Sequence, residues 1–241
     1  MITAITVDLW QTLLVDPTHN LTNGRRHRLE SVGRLLARGG CRVTFDALER
    51  AYDESGRRLT TIWAANQDIS ASDQVRLYLD CLETGLAARI PGELLTEIEQ
   101  AYTTPALRFP PVLASGAVFA IEALYDQGVT LAIISNTGRT PGAVLRQILA
   151  TYGLLEKFAA LTFSDEALVR KPHPRIFQRT LDALGFHPSR AVHVGDDVQA
   201  DVGGAKGAGM RAIHLSENGH RSNADATIRS LFELPEILAR L

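Results

Sequence analysis

The chain has 241 residues, 45% of them hydrophobic and 22% charged, with a formal net charge of −2. That composition fits a soluble globular protein large enough for one α/β core and a smaller companion domain. The near-neutral balance excludes the strongly basic surface that nucleic acid or an anionic membrane selects, so neither is expected as a partner.

Residues 2–7 are apolar or β-branched and end at Asp8, which places Asp8 at the end of a first strand. Six residues are strand length, too short for a signal sequence or a membrane span. Cys41 and Cys81 lack disulfide or zinc spacing, and the expectation is a cytoplasmic, reduced protein. No strand of that kind recurs over 16–110. Four helical patterns appear there instead. The first, over 25–37, sets Leu29, Val32, Leu35 and Leu36 on one face and stops at Gly39-Gly40. The second follows Thr44 as N-cap and carries Leu48, Tyr52, Leu59 and Trp63. A third follows Ser72 with Val75, Tyr78 and Leu79, and a fourth follows Pro91 with Leu95, Ile98 and Tyr102. Short connections make these a small helical bundle, with Trp63 and Tyr78 packed inside it. The basic run Arg25-Arg26-His27-Arg28, with Arg34, Arg38 and Arg42, reads as a solvated helix face in preference to a device that recruits an anionic substrate.

Past residue 110 the pattern alternates. Helical stretches over 117–127, 141–152, 174–184 and 203–208 precede strands over 129–134, 159–163, 191–194 and 211–215. Strands separated by crossover helices imply a parallel sheet covered on both faces. The fold class is therefore α/β, a Rossmann-like core over 1–15 and 111–241 with a four-helix insert over 16–110. No internal repeat or low-complexity segment is present, and the sequence is silent on oligomeric state.

In such a sheet, ligands bind beyond the carboxyl ends of the strands. Those ends carry Asp8-Leu-Trp-Gln-Thr12, then Ser135-Asn136-Thr137, then a loop reaching Lys171-Pro-His-Pro-Arg-Ile-Phe177, then Gly195-Asp196-Asp197 and Asp201. An aspartate can attack phosphorus and divide hydrolysis into two steps. Phosphoryl transfer otherwise needs positioning and charge neutralisation, to which Mg²⁺ on one or two carboxylates contributes. Asp8 and Asp196 are the natural metal pair. Ser135 and the backbone N–H of Asn136 suit a phosphate oxygen, and Lys171 suits the phosphate or the nucleophile. Asp197 and Asp201 suit an outer shell that orients metal-bound water. Each of these residues is alone more often a cap or a turn; it is their joint order, each at its own strand end, that points to chemistry.

On those residues the chain resembles the haloacid dehalogenase-like superfamily over nearly its whole length, in the branch with a helical cap between the first two motifs. The resemblance implies that Asp8 is the nucleophile and that Ser135 and Lys171 bind the phosphoryl group. It further implies Mg²⁺ held by Asp8, Asp196 and the backbone carbonyl of Trp10, and a small phosphorylated metabolite as substrate. One position departs from the pattern. Phosphatases of this kind carry a second aspartate two residues after the nucleophile, and here that residue is Trp10, whose indole N–H only donates.

Three readings follow: a phosphatase whose proton carrier lies elsewhere, with His19, His27, Asp53 and Glu54 of the insert as candidates; a 2-haloacid dehalogenase acting through an Asp8 ester; or a catalytically weakened binding protein. Dehalogenases resemble this chain in the aromatic residue at that position and release a halide without protonation. They lack the acid after the glycine of the fourth motif, whereas Asp196 is present here. A phosphonatase needs a Schiff-base lysine from the cap, and the lysines are Lys157, Lys171 and Lys206 alone, all beyond the insert.

Overall fold

The computed structural model describes residues 2–241. Strand β1 (Ala4–Val7) is buried throughout and ends at Asp8. A tight turn through Gln11 (φ 59°) leads to the short β2 (Leu14–Val15). The helices α1 (Thr18–Arg38), α2 (Phe45–Ala64), α3 (Ala71–Leu82), α4 (Leu86–Arg89), α5 (Gly92–Thr103) and α6 (Pro105–Arg108) follow, α4 and α6 being single turns. β3 (Val112–Leu113) then pairs antiparallel with β2, so the chain leaves and re-enters the core through adjacent strands. Next come α7 (Ala117–Asp126), β4 (Thr130–Ser135), α8 (Gly142–Thr151), β5 (Ala160–Phe163), the one-turn α9 (Ser164–Ala167), α10 (Pro174–Leu184) and β6 (Ala191–Gly195). A π-helical turn, Val198–Gly203, runs into α11 (Gly204–Gly207), followed by β7 (Arg211–Leu215), β8 (Ala226–Ile228) and α12 (Leu234–Arg240).

The main sheet has six strands in the order β5-β4-β1-β6-β7-β8, every neighbouring pair parallel. Its strands are continuous apolar runs because helices cover both faces. Adjacent residues of one strand feed different cores: Ile133 packs with Ile121, Leu145 and Leu231, whereas Ile134 packs with Ile176, Phe177 and Val202. The chain goes from β1 to β4 and β5 on one side, then returns to β6, β7 and β8 on the other. β1 and β6 therefore flank the point where the order reverses, and a crevice opens beyond their carboxyl ends.

The helices over 18–108 carry a third core, with Leu29, Val32, Leu79, Ile98 and Tyr102 fully buried. Tyr78 and Tyr102 pack there with ring centroids 5.0 Å apart. Three local expectations differ from the structure. Helix α1 begins at Thr18 and not near 25, because its polar first turns carry no apolar period. Ser70, not Ser72, caps α3, its hydroxyl accepting the Asp73 N–H at 3.1 Å. Trp63 is only half-buried: its indole N–H donates to Asp68 at 2.9 Å and the Arg170 guanidinium stacks on its ring at 4.4 Å. It belongs to a contact between the insert and the core, where Arg170 also pairs with Asp68 at 2.6 Å.

Candidate active site

β1 delivers Asp8 to the crevice with 6% of its surface exposed, its backbone N–H donating to Val194 O at 2.9 Å. Lys171 comes from the loop after β5 and is 4% exposed. Its ammonium spends all three protons inside the protein, on Asp8 Oδ1 (2.5 Å), Asp201 Oδ1 (2.6 Å) and Ile134 O (2.8 Å). Lys171 thus sits on Asp8 and on the end of β4, and holds Oδ1 of Asp8 while leaving Oδ2 without a hydrogen bond to it. Asn136, whose backbone N–H is the group expected at the substrate, has its side-chain amide on Lys171: Nδ2 donates to Lys171 O at 3.0 Å and Oδ1 accepts the Lys171 N–H at 2.8 Å. Ser135 is fully buried, and among the described residues its hydroxyl has no hydrogen-bond acceptor nearer than Asn136 O at 3.5 Å, too long for a strong bond.

β6 ends at Gly195, where a Cβ would lie 2.2 Å from the Asp201 carboxylate; only glycine lets the two approach. Asp196 is half-buried and reached by the Thr12 hydroxyl at 3.4 Å. Asp201 returns on the π-helical turn, a geometry frequent at functional sites. Its Oδ1 takes Lys171 and His193 Nε2 (3.1 Å), and its Oδ2 takes the Asp197 N–H (2.9 Å). Asp197, expected near the metal waters, is exposed and caps the turn by accepting the N–H groups of Gln199 and Ala200 at 2.7 and 2.8 Å. His193, which the sequence reading lacks, is fully buried in β6 and bonded through Nδ1 to Thr6 at 2.8 Å. A carboxylate only accepts, so Nε2 carries the proton toward Asp201 and Nδ1 accepts from the threonine hydroxyl. Burial lowers the pKa of that imidazole and keeps it neutral. A hidden histidine thus props Asp201, which props Lys171.

Asp8, Asp196 and Asp201 each bring an oxygen within 4.8 Å of the others. Against these three carboxylates stands one lysine. Burial, with repulsion from Asp201 and Asp196, raises Asp8 from 3.8 to about 7 despite Lys171 beside it. Asp196 is raised as well, by burial and then by Asp201. Asp201 goes the other way: Lys171 and His193 outweigh its burial and hold it well below the usual carboxylate range. An excess of hard oxygen donors over cations is what a divalent ion with retained waters requires, so the donor set fits Mg²⁺.

Beside this cluster a cleft of about 430 Å³ opens between core and insert. Trp10, Gln11, Gly138 and Arg139 line it from the core; Arg25, Arg28, Tyr52 and Phe109 line it from the helices. Asp8 does not line it, but the turn that follows Asp8 does. Arg28, expected in solvent, is 6% exposed. Arg26 and Arg38 fit a solvated face, paired to Glu30 and Glu97, whereas Arg25 is half-buried on the cleft wall. Among the described residues Asp16 is the one acid on the wall, and its Oδ1 has no hydrogen-bond partner; burial raises its pKa. Among the described residues no helix is long and apolar enough to cross a membrane.

Residues 2–209 match the family model of haloacid dehalogenase-like hydrolases, and the chain belongs to that family. Its relatives divide between two chemistries. It is 31% identical over 168 residues to phosphoserine phosphatase of Thermus thermophilus, a match covering 70% of this chain and 62% of the relative. The chain thus spans less than two thirds of that relative's length. A 2-haloacid dehalogenase from Pseudomonas syringae pv. Tomato shares the fold with TM-score 0.71 and 25% identity, covering 100% of this chain and 99% of the other. A HAD phosphatase from Thermococcus onnurineus matches with TM-score 0.61 and 26% identity over 98% of both chains.

Proposed function

We propose that the protein is a Mg²⁺-dependent phosphatase of a small phosphorylated metabolite, working through an aspartyl-phosphate on Asp8. The observation that carries this reading is the surplus of carboxylate, buried Asp8 and Asp201 with half-buried Asp196 against Lys171 alone, at the switch point of the sheet. Asp8, Asp196 and the Trp10 carbonyl hold the ion, which supplies charge neutralisation on the transferring phosphoryl group. Oδ2 of Asp8 attacks phosphorus, and the P–O bond to the alcohol breaks with its electron pair on the leaving oxygen, which takes up a proton. Water then attacks the phosphorus of the acyl phosphate, releasing phosphate and restoring Asp8. Ser135 and the Asn136 N–H bind a phosphoryl oxygen. Asp201 and His193 fix Lys171, and Lys171 fixes Asp8, so that the nucleophile needs little reorganisation. Helices over 16–110 act as a cap: Arg139 and Arg170 reach from the core to Tyr52 and Asp68 of that segment and hold it over the crevice.

Trp10 favours a second reading, dehalogenation through an Asp8 ester, because a halide departs without the proton carrier that this position lacks. Asp196 opposes it. The deciding experiment is a panel of phosphate esters and 2-chloropropionate, with and without Mg²⁺. Phosphate release that needs Mg²⁺ is the expected result; chloride release without metal would establish dehalogenation instead, and binding of Mg²⁺ and phosphate without turnover would mark a binding protein. If the missing acid limits the rate, Trp10→Asp raises kcat on alkyl phosphates by about 10²-fold, the lower end of the range of general acid–base catalysis. An unchanged or lower kcat in folded variant would show that proton transfer is served elsewhere.

A further inference from the structure

The cleft wall holds two guanidinium groups with no acid to balance them. Arg28 in α1 donates from Nε to Tyr102 O (2.5 Å) and from Nη1 to the Tyr52 hydroxyl (3.1 Å). Arg139, in the loop after β4, donates to Ser55 Oγ (3.2 Å), Tyr52 O (2.8 Å) and the Tyr102 hydroxyl, and stacks on the Tyr52 ring at 3.8 Å. Every one of these acceptors is a neutral oxygen, and among the described residues neither arginine has a carboxylate partner. Other cations nearby are matched: Arg25 pairs with Asp53 at 3.0 Å, Arg170 with Asp68 at 2.6 Å, and Lys171 with Asp8 and Asp201. Arg28 is buried and Arg139 half-buried, and an arginine cannot shed its proton to escape that environment, so the uncompensated pair is costly unless an anion completes it. Asp16, the one acid on that wall, forms no ion pair with either.

Position gives the anion its identity. The same wall carries Trp10 and Gln11, next in the chain after the nucleophile, and Gly138 to Thr140, which follow Ser135. A phosphoryl group placed between Asp8 and Ser135 therefore has its alcohol portion facing this cleft. We propose that the substrate carries a second anionic group, a carboxylate or a second phosphate, bound between Arg28 of the helical segment and Arg139 of the core. This rests on the phosphatase reading and names its substrate class. Because the two arginines come from the two sides of the cleft, the bound anion also draws the helices onto the crevice. Guanidinium forks suit both oxyanions, since each offers two coplanar oxygens.

The test uses esters that differ only at the remote end: phosphoglycolate against ethyl phosphate, and propane-1,3-diyl bisphosphate against propyl phosphate, on the intact protein with Mg²⁺. The wild type is expected to favour the doubly anionic member of at least one pair in kcat/KM; the pair that shows it separates carboxylate from phosphate. In Arg28→Gln and Arg139→Gln that ratio falls by about ten- to hundredfold, the value of one charge-assisted hydrogen bond, and the loss lies mainly in KM. Arg28→Lys, which keeps the charge, retains most of the ratio and guards against mere misfolding. A wild-type ratio near one in both pairs, or a ratio the glutamine variants leave unchanged, overturns the proposal. If no ester releases phosphate, the hydrolytic reading fails, and calorimetric binding of the same pairs decides the anion site: tighter binding of the doubly anionic member, lost in Arg28→Gln, sustains it, and equal or absent binding overturns it.

Discussion

Asp8→Asn is expected to abolish turnover, by about 10⁴-fold or more, and at the same time to stabilise the metal-free protein. The two effects have one origin. An amide cannot attack phosphorus, yet it fills the same space and still accepts from Lys171. It also removes a charge that the folded state disfavours, since burial raises the Asp8 carboxyl from 3.8 to about 7. Between roughly pH 4 and 7 the folded chain keeps a proton that the unfolded chain has released, so rising pH pulls the equilibrium toward unfolding. The penalty grows through that window, reaches on the order of 4 kcal/mol above pH 7, and disappears as pH falls below 4. Asp201 acts in the opposite sense: its lowered pKa gives stability that is present above the ordinary carboxylate range and lost only at much lower pH, outside this window. Chemical denaturation without metal from pH 4 to 8 should thus show a downward slope in the wild type that Asp8→Asn flattens. Mg²⁺ should stabilise the wild type more than the variant, since the ion answers the charge that asparagine lacks. A variant less stable than wild type at pH 8 would contradict this picture of the site.

That conflict between stability and chemistry is what the sequence made visible in part. Asp8, Ser135 and Asp196 were legible because each stands at the end of an apolar run of strand length, and Lys171 because a short loop after such a run reaches it; a parallel sheet must bring such ends to one edge. What each side chain touches was not legible. Lys171 bridges Asp8 and Asp201 only because β1, β4 and β6 are neighbours in the sheet, an order that local periodicity does not encode. Asn136 turns to Lys171 for the same reason, and Asp197 becomes a cap because the π-helical turn begins there. His193 was hidden inside a strand that reads as apolar, although a histidine in a fully buried run is itself a signal that a polar partner lies beside it. Arg28 was hidden differently. It stands in a basic run of which Arg26, Arg34, Arg38 and Arg42 are exposed, and only the packing of α1 against the third core decides which member is buried. β8 and α12 lie beyond the last patterned strand, and three residues are too few to show a period.

Lys171→Met should remove activity nearly as completely as Asp8→Asn, but with the opposite effect on stability. The methionine matches the length of the lysine stem and leaves the packing near Ile134 filled, so the change is in charge. It strips the ammonium from between Asp8 and Asp201, both nine-tenths buried or more. Removing one member of a buried ion pair typically costs about 3–5 kcal/mol because the other charge is left unanswered. Here two carboxylates are left facing each other, so Asp8 has still more reason to take up a proton and less capacity to attack. A kcat lower by at least about 10³-fold is expected, since nucleophile positioning and phosphate neutralisation fail together. The melting temperature should fall by several degrees without metal. Part of that loss should return with Mg²⁺, because the cation meets the same carboxylates that the lysine served, whereas kcat should stay low. A variant as stable as wild type, or one whose activity Mg²⁺ restores in full, would mean that Lys171 serves the phosphate alone. The Asp201–Lys171–Asp8 chain would then be a consequence of packing and not the means by which the nucleophile is held.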